Sequence, residues 1–315
     1  MSTVTPPVAT LPDSPLQWAM LSLEGLSVGD AFGQCFFDPA WTDRAAEAVV
    51  PEAPWYYTDD TEMSLSVVRI LARHGRIEQD ALAESFAVRY SYDRAYGPSM
   101  HRVLARITQG DDWREVTRSA FGGLGSFGNG AAMRAAPVGA FFHDDLARAV
   151  SEARASAEVT DAHPEAVSGA VAVSLAAAQA CRFREQGDSI SADVFLSGII
   201  DRLPGGEVRS KLTRGLDLHG VSSRTHASNL LGNGTTMAAQ DTVPYALWCC
   251  AQSLEDYEQA LWLALSAGGD RDTLCAIVGG VVACRVGIQG MPPSWREARE
   301  PLPGWQIPSE ISPGI

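Results

Sequence analysis

Apolar residues recur every three or four positions along much of the chain, the spacing that lines one face of an α-helix. The clearest case is Glu62–His74, which carries a wide apolar face and is followed by Gly75, a residue suited to end a helix. No stretch shows the convincing apolar–polar alternation of half-buried strands. The same spacing predicts further helices over Leu16–Phe32, Asp80–Tyr90, Asp144–Val159, Pro164–Arg182, Val243–Gln252, Leu254–Ser266 and Thr273–Arg285. The pattern therefore predicts an all-α fold, with the Ala- and Gly-rich helices around Ala166 and Ile277 at its centre.

The helical segments follow one another without an interdomain linker. Between residues 16 and 285, no stretch has the length and the Pro, Ser and Gly content of one, so we predict a single domain over residues 14–303. Residues 1–13 are expected to form a disordered tail and residues 304–315 an irregular one. Six of the 18 prolines lie in residues 286–315, which predicts an irregular strap over the surface.

Composition narrows the choice of partners. The 315 residues carry a formal net charge of −14, which disfavours nucleic acid and anionic membranes as partners. The first fifteen residues lack the basic and apolar regions of a signal peptide, so a cytoplasmic location is expected. The apolar run 166–181 is expected to be too short to cross a membrane. The six cysteines show no metal-ligand spacing, which is typical of buried, reduced thiols.

Two acidic motifs directly precede apolar helices. The first runs from Tyr57 to Glu62 (YTDDTE) and the second from Gly268 to Thr273 (GGDRDT). Each could be only a helix cap, because Thr and Asp are common capping residues and carboxylates are stabilised near a helix N-terminus. One cap needs one acceptor, however, and each motif carries two aspartates. The surplus carboxylates are the first sign of chemistry beyond capping.

The two motifs become informative if their helix starts meet. Several buried carboxylates in one cleft would repel one another, so a cation would be needed between them. The donor atoms are carboxylate and hydroxyl oxygens, which select Mg²⁺, Mn²⁺ or Ca²⁺ over Zn²⁺ or Cu²⁺. The motifs offer enough ligands for two such ions, namely Thr58, Asp59, Asp60, Asp270, Asp272 and Thr273.

Three further segments have both a structural and a functional interpretation. The glycine-rich segment 121–137 is either a flexible turn or a cradle of backbone N–H groups for phosphates, with Phe121 and Phe127 available to stack on a base. His163, which lies before a proline, is either a capping residue or a ligand contact. The segment 240–244 reads only as a helix start. The tripeptide Gly-Asn-Gly occurs at 128–130 and 232–234, and we interpret it as a turn used twice.

Taken together, the motifs resemble those of the ADP-ribosylglycohydrolase family, which includes the dinitrogenase reductase activating glycohydrolase. The resemblance covers roughly residues 16–303. The segments that carry it are GDAFG (29–33), YTDDTEMSL (57–65), AYGPSM (95–100), GNGAAMRAAPVG (128–139), TDAHPEA (160–166), QDTVPYALW (240–248) and GGDRDT (268–273). It implies an orthogonal, single-domain helical array with two Mg²⁺ or Mn²⁺ ions.

The resemblance also implies roles for individual residues. The six metal ligands coincide with those chosen above on ligand chemistry. The substrate-binding residues that it implies are Tyr96, Gly97, Gly125, Ser126, Phe127, Gly128, Asn129, Gly130, Met133, Asp161 and His163. Two positions depart from the family's pattern: Asp161 stands where a histidine is common, and among residues 34–38 only Asp38 could replace a metal-binding glutamate.

The implied reaction is hydrolysis of the ribosyl bond of an ADP-ribosylated protein or small molecule, releasing ADP-ribose. We expect Asp60 or Asp272 to take the proton of the attacking water, Asp30 to orient ligands and Asp38 to assist. The alternative is an ADP-ribose-binding member of the same fold with weak or no turnover. A prenyl-diphosphate enzyme ranks last, because the DDxxD pattern fails at Met63.

Overall fold

A computed structural model describes residues 11–218 and 224–303, and throughout these ranges the secondary structure is helical with two isolated β-bridges. The all-α prediction is therefore confirmed. The helices are α1 (Pro15–Cys35), α2 (Pro39–Thr42), α3 (Asp59–His74), α4 (Gln79–Arg89), α5 (Pro98–Thr108), α6 (Trp113–Gly123), α7 (Gly130–Met133), α8 (Ala136–Phe141), α9 (Leu146–Glu158), α10 (Pro164–Gln186), α11 (Ala192–Ile200), α12 (Glu207–Leu216), α13 (Arg224–Leu231), α14 (Ala239–Gln252), α15 (Tyr257–Leu265), α16 (Arg271–Val286) and α17 (Pro293–Ala298). Short 3₁₀ turns cover Asp43–Glu47 and Ile288–Gly290.

All eight helices predicted from apolar spacing are present, within a few residues of their predicted ends. The two Ala- and Gly-rich helices, α10 and α16, form the centre as predicted. Residues 166–181 of α10 and 272–284 of α16 are buried without a break. The core is therefore built around helices that are buried on every side rather than along one stripe.

Helix α10 corrects one expectation. It has 23 residues, or about 34 Å at 1.5 Å per residue, and is long and apolar enough to cross a membrane. The expectation rested on the apolar run 166–181, which is only part of this helix. In the structure, 89% of the helix's most apolar window is buried inside the protein, as expected for a core helix.

Helices α1 and α16 approach closely along a row of glycines on α1. A Cβ atom added at Gly25 would lie 2.4 Å from the carbonyl oxygen of Gly279, and one at Gly29 would lie 2.1 Å from that of Cys275. At Gly33 the nearest atom would be the Arg271 oxygen, at 2.4 Å. Because no side chain separates the two backbones, residues of α1 lie directly beside the start of α16.

The segment after α16 differs from the predicted irregular strap. It contains the short helix α17, and the Trp295 side chain is only 3% exposed. The Trp295 ring stacks on that of Phe32, with centroids 4.4 Å apart, and meets Trp55 edge-on. The predicted tail residues 1–10 and 304–315 lie outside the described residues, whereas Asp13 joins the fold through a bond from its N–H to the Gln17 side chain.

The stacking predicts that Trp295→Ala destabilises the protein by about 3–5 kcal/mol, because it removes a large buried ring and leaves a cavity beside α1. Trp295→Phe should lose clearly less. Urea unfolding of both variants measures the difference, and an unchanged midpoint for Trp295→Ala would show that this segment is not part of the cooperative core.

Candidate active site

The two acidic helix starts meet in the structure. Helix α3 begins at Asp59 and α16 at Arg271, and Thr273 Oγ1 lies 3.5 Å from Asp60 Oδ2 in a side-chain hydrogen bond between the two motifs. Thr58 caps α3: its Oγ1 accepts from the Asp60 N–H and lies 2.9 Å from Asp60 Oδ2. The capping interpretation is therefore correct for Thr58. It does not account for the aspartates of the two motifs.

Asp30 of α1 fixes the start of α3. Its fully buried carboxylate accepts four hydrogen bonds, from the N–H and hydroxyl groups of both Thr58 and Thr61, at 2.5–3.2 Å. Burial raises the pKa of Asp30 to about 6, although these hydrogen bonds oppose the rise. Asp30 thus fixes the position of Thr58 at the start of α3.

Four more carboxylates surround this point, at Asp59, Asp60, Asp270 and Asp272. Burial raises the pKa of each; the Asp30 charge adds to the rise at Asp59 and Asp60, and the Asp270 charge adds to it at Asp272. The pKa of Asp59 reaches about 8. Within residues 11–218 and 224–303, none of these carboxylates forms an ion pair with Lys, Arg or His, and the Arg134 charge acts on Asp59 without a direct contact.

The donor set fits a hard divalent cation in its chemistry. Asp60 Oδ1 is buried and has no hydrogen-bond partner among the described residues, which is a costly state for a carboxylate oxygen. As placed, no three His, Cys, Asp or Glu side chains in the described part of the chain are grouped closely enough to hold an ion. A cation would therefore have to draw these carboxylates together.

The glycine-rich segment faces the acidic cluster through Asn129. The Asn129 side-chain NH₂ donates to Asp270 Oδ2 at 2.6 Å and to Thr242 Oγ1 at 2.9 Å. Around it, the backbone N–H groups of Ser126, Phe127 and Gly130 donate to no acceptor among the described residues. The loop thus combines free N–H donors with a direct contact to the acidic motif.

The second Gly-Asn-Gly segment, which was interpreted from the sequence only as a turn, belongs to the same site. The backbone oxygen of Asn233 accepts from the Asp270 N–H at 3.0 Å, and that of Met237 accepts from the Asn129 N–H at 2.9 Å. Asp241 holds this segment by accepting from the Thr236 N–H and hydroxyl. The repeated tripeptide was the available signal: the two copies meet at Asp270 rather than serving unrelated turns.

The other predicted contacts lie around this centre. Tyr96 is buried, and its hydroxyl donates to Glu62 Oε1 at 2.8 Å; Gly97 caps α5. His163 caps α10 through Nδ1, and its ring meets that of Phe127 at 5.8 Å, so the capping interpretation holds while the ring also borders the loop. Gly125 and Gly128 pack against the segment 161–163.

Met133 and Asp38, which were predicted to belong to the site, make other contacts in the structure. The Met133 side chain is 3% exposed and packs in the core beneath the loop, because it lies on the inner face of α7. Asp38 is exposed, and its Oδ1 accepts from the Ala40 N–H at the start of α2. Asp38 therefore acts as a local cap, and no contact joins it to the acidic cluster among the residues described.

Comparisons with known proteins agree with this architecture. The sequence model of the family described as ADP-ribosylglycohydrolase matches residues 13–309. A solved structure titled "ADP-ribosylglycohydrolase-related protein complex" superposes with a TM-score of 0.63, covering 91% of this chain and 94% of its own at 22% identity. At that identity the likeness shows a shared fold.

Sequence relatives extend over most of the chain. The ADP-ribosylhydrolase ARH3 of Mus musculus is 30% identical over 276 residues, which are 78% of this chain and 73% of the relative. The human protein of the same name is 28% identical over 279 residues, again 78% of this chain and 75% of its own. The ADP-ribosylarginine hydrolase Tri1 of Pseudomonas putida is 25% identical over 299 residues, 91% of this chain and 75% of its own.

Proposed function

Because the chain belongs to the ADP-ribosylglycohydrolase family, we propose that it is a hydrolase of ADP-ribose linkages that works with two divalent cations, Mg²⁺ or Mn²⁺. The substrate is an ADP-ribosylated protein or small molecule, and the product is ADP-ribose. The single observation that carries the proposal is the meeting of two acidic helix starts whose aspartates form no ion pair with a protein cation among the described residues. The net charge of −14 disfavours nucleic acid and membranes as partners.

The cations would be held by oxygen ligands from both motifs: Thr58, Asp59, Asp60, Asp270, Asp272 and Thr273. When bound, they would supply Lewis-acid chemistry, orienting the ribose hydroxyls and lowering the pKa of water. Cation binding depends on pH, because the carboxylates must lose their protons before they can bind a metal ion. Burial raises the pKa of Asp59 and Asp272, so these side chains lose their protons at a higher pH than an exposed aspartate does.

The chain's own residues divide the remaining tasks. Asp30 holds Thr58 and the start of α3, so the ligand atoms are oriented before substrate arrives. Asp60 or Asp272, which face one another across the two helix starts, accepts the proton of the attacking water. Developing positive charge on the ribose is stabilised by the surrounding carboxylates. These roles require the helix starts to stay in contact, which the close packing of α1 on α16 provides.

The glycine-rich loop takes the anionic part of the substrate. Its free N–H groups at Ser126, Phe127 and Gly130 suit phosphate oxygens. The half-exposed rings of Phe121 and Phe127, 5.4 Å apart, suit the base of the nucleotide. The Asn129 side chain donates to Asp270 and so connects the phosphate-binding loop directly to the acidic cluster.

We expect ADP-ribose release from at least one acceptor in a panel of arginine-, serine-, base- and small-molecule-linked substrates with Mg²⁺ or Mn²⁺. Excess EDTA should abolish this release, and added metal should restore it. Turnover that persists undiminished in the chelator would exclude metal-assisted hydrolysis while leaving the family assignment intact.

A second function is favoured by two specific residues. Asp161 stands where the resemblance implies histidine, and Asp38 caps α2 instead of approaching the acidic cluster. An ADP-ribose-binding protein with little turnover would show metal-dependent thermal stabilisation by ADP-ribose without release from any substrate in the panel. Release from one acceptor decides for the hydrolase.

A further inference from the structure

A buried carboxylate lies directly beneath the glycine-rich loop. Asp161 is 2% exposed; its Oδ1 accepts from Ser126 Oγ at 2.6 Å and its Oδ2 from Thr160 Oγ1 at 2.7 Å. Ser126 Oγ in turn accepts from the Gly128 N–H at 3.1 Å. Because the Ser126 proton points to Asp161, the serine's lone pairs are left to accept the amide. The Asp161 carboxylate thus determines that Ser126 donates to Asp161 and accepts from the Gly128 N–H.

The loop backbone also rests on this carboxylate. A Cβ atom at Gly128 would lie 3.2 Å from Asp161 Oδ1, and one at Gly130 would lie 3.5 Å from Oδ2. On the other side of the loop, the Ser126 oxygen accepts from the His163 N–H at 3.1 Å. The segment 161–163 therefore supports the loop by contact and by hydrogen bonds at once.

The negative charge of Asp161 is offset from behind by Arg134, which is buried. Arg134 Nη2 donates to Thr160 Oγ1 and to the Ser156 oxygen, both at 2.8 Å, and Nη1 donates to the Gly130 oxygen at 2.9 Å. Burial raises the pKa of Asp161, and the Arg134 charge opposes that rise. The Arg134 charge therefore offsets the repulsion that the Asp161 carboxylate would otherwise exert on an anion bound to the loop.

We propose that Asp161 is a positioning residue: through Ser126 it holds the loop 125–130 in the shape that presents its free N–H groups to the diphosphate of ADP-ribose. The ligand's identity rests on the proposed function, whereas the ordering of the loop does not. A neutral imidazole has one acceptor nitrogen and cannot accept from both Ser126 and Thr160. Histidine at this position would therefore leave one hydroxyl proton without this acceptor, and the support that Asp161 gives to the loop is specific to a carboxylate.

The first test needs no ligand. Hydrogen exchange of the backbone amides in residues 125–130 is measured by mass spectrometry in Asp161→Asn, Ser126→Ala and the double variant. Each single change should speed exchange at Gly128 about tenfold: Ser126→Ala removes the acceptor of the Gly128 N–H, and Asp161→Asn leaves one acceptor oxygen for two hydroxyl donors. The double variant should be no faster than either single one, because the two residues act in series. Ser126→Ala keeps every buried charge and remains informative if Asp161→Asn folds poorly.

Asp256→Asn is the matched control, since it changes an aspartate that caps α15 outside this loop. It should leave exchange in 125–130 unchanged. Exchange that is also unchanged in Asp161→Asn and Ser126→Ala would overturn the proposal, as would fully additive effects in the double variant.

The second test separates positioning from general damage. On the best substrate of the panel, Asp161→Asn and Ser126→Ala should each raise KM about tenfold while kcat changes less than about twofold. Asp161→His should not recover KM. An equal fall in kcat with unchanged KM would place Asp161 in the chemical step instead. If the unaltered protein neither binds nor releases ADP-ribose, the proposed function fails, and the exchange result still decides the role of Asp161.

Discussion

Asp60→Asn is expected to lower ADP-ribose release by about 10²–10³-fold or more, because it removes a charged oxygen at the centre of the two acidic helix starts. Asp60 is the carboxylate with the most neighbours of like charge: burial first, then Asp30, Asp272, Asp59 and Asp270 raise its pKa. Its Oδ1 has no hydrogen-bond partner among the described residues, and its Oδ2 has only hydroxyl neighbours, at Thr58 and Thr273. A steady-state assay of release measures the loss.

The same substitution should stabilise the protein without metal. At a pH above the raised pKa values of the cluster, where its carboxylates are ionised, removing one buried negative charge relieves repulsion. This repulsion amounts to about 4 kcal/mol for two unit charges 4 Å apart at an effective dielectric constant of 20. The unfolding temperature in EDTA should therefore rise in Asp60→Asn while activity falls. Asp145→Asn, which changes a cap on α9, is the control. Because asparagine caps a helix about as well as aspartate, it should lose less than about 1 kcal/mol of stability and no activity. Lower stability of Asp60→Asn in EDTA would contradict the view that this cluster is strained without a cation.

Gly29→Ala is expected to destabilise the protein by about 3 kcal/mol or more. Alanine has a helix propensity about 1 kcal/mol better than that of glycine, so an exposed helical site would gain stability. At Gly29 the new Cβ would lie 2.1 Å from the Cys275 carbonyl oxygen, which belongs to rigid backbone and cannot turn aside. The two central helices must separate instead. Chemical unfolding measures the loss, and release should fall because Asp30 moves with α1.

Gly205→Ala is the matched control, since a Cβ at Gly205 meets no atom within 4 Å. Its stability should stay within about 0.5 kcal/mol of the unaltered protein. Equal stability of Gly29→Ala and Gly205→Ala would show that the glycines of α1 do not set the distance to α16.

The long helices could be predicted from the sequence because each shows apolar spacing over three or more turns, with recognisable caps such as Ser14 and Gly75. The shorter helices escaped prediction. Helix α17 lies among prolines, and α7 and α8 begin inside a glycine-rich stretch, so neither composition nor spacing marks them. Their positions depend on tertiary packing, as the stacking of Trp295 on Phe32 shows.

The acidic motifs could be found from the sequence because surplus carboxylates at a cap are visible in the residue order. The contacts that join them could not, since they link positions more than 200 residues apart, as at Asp60 and Thr273. The second Gly-Asn-Gly segment and the support of the loop by Asp161 have the same origin. Both depend on which groups meet in space; the repeated tripeptide hinted at the first, whereas no local pattern indicates the bond between Ser126 and Asp161.

The most direct measurement of the central claim is the number of Mn²⁺ ions bound per chain, determined by equilibrium dialysis on the metal-stripped protein. The account predicts two ions in the unaltered protein and clearly weaker binding in Asp60→Asn, with Asp145→Asn unchanged. Absence of saturable binding, or equal binding in all three proteins, would contradict it.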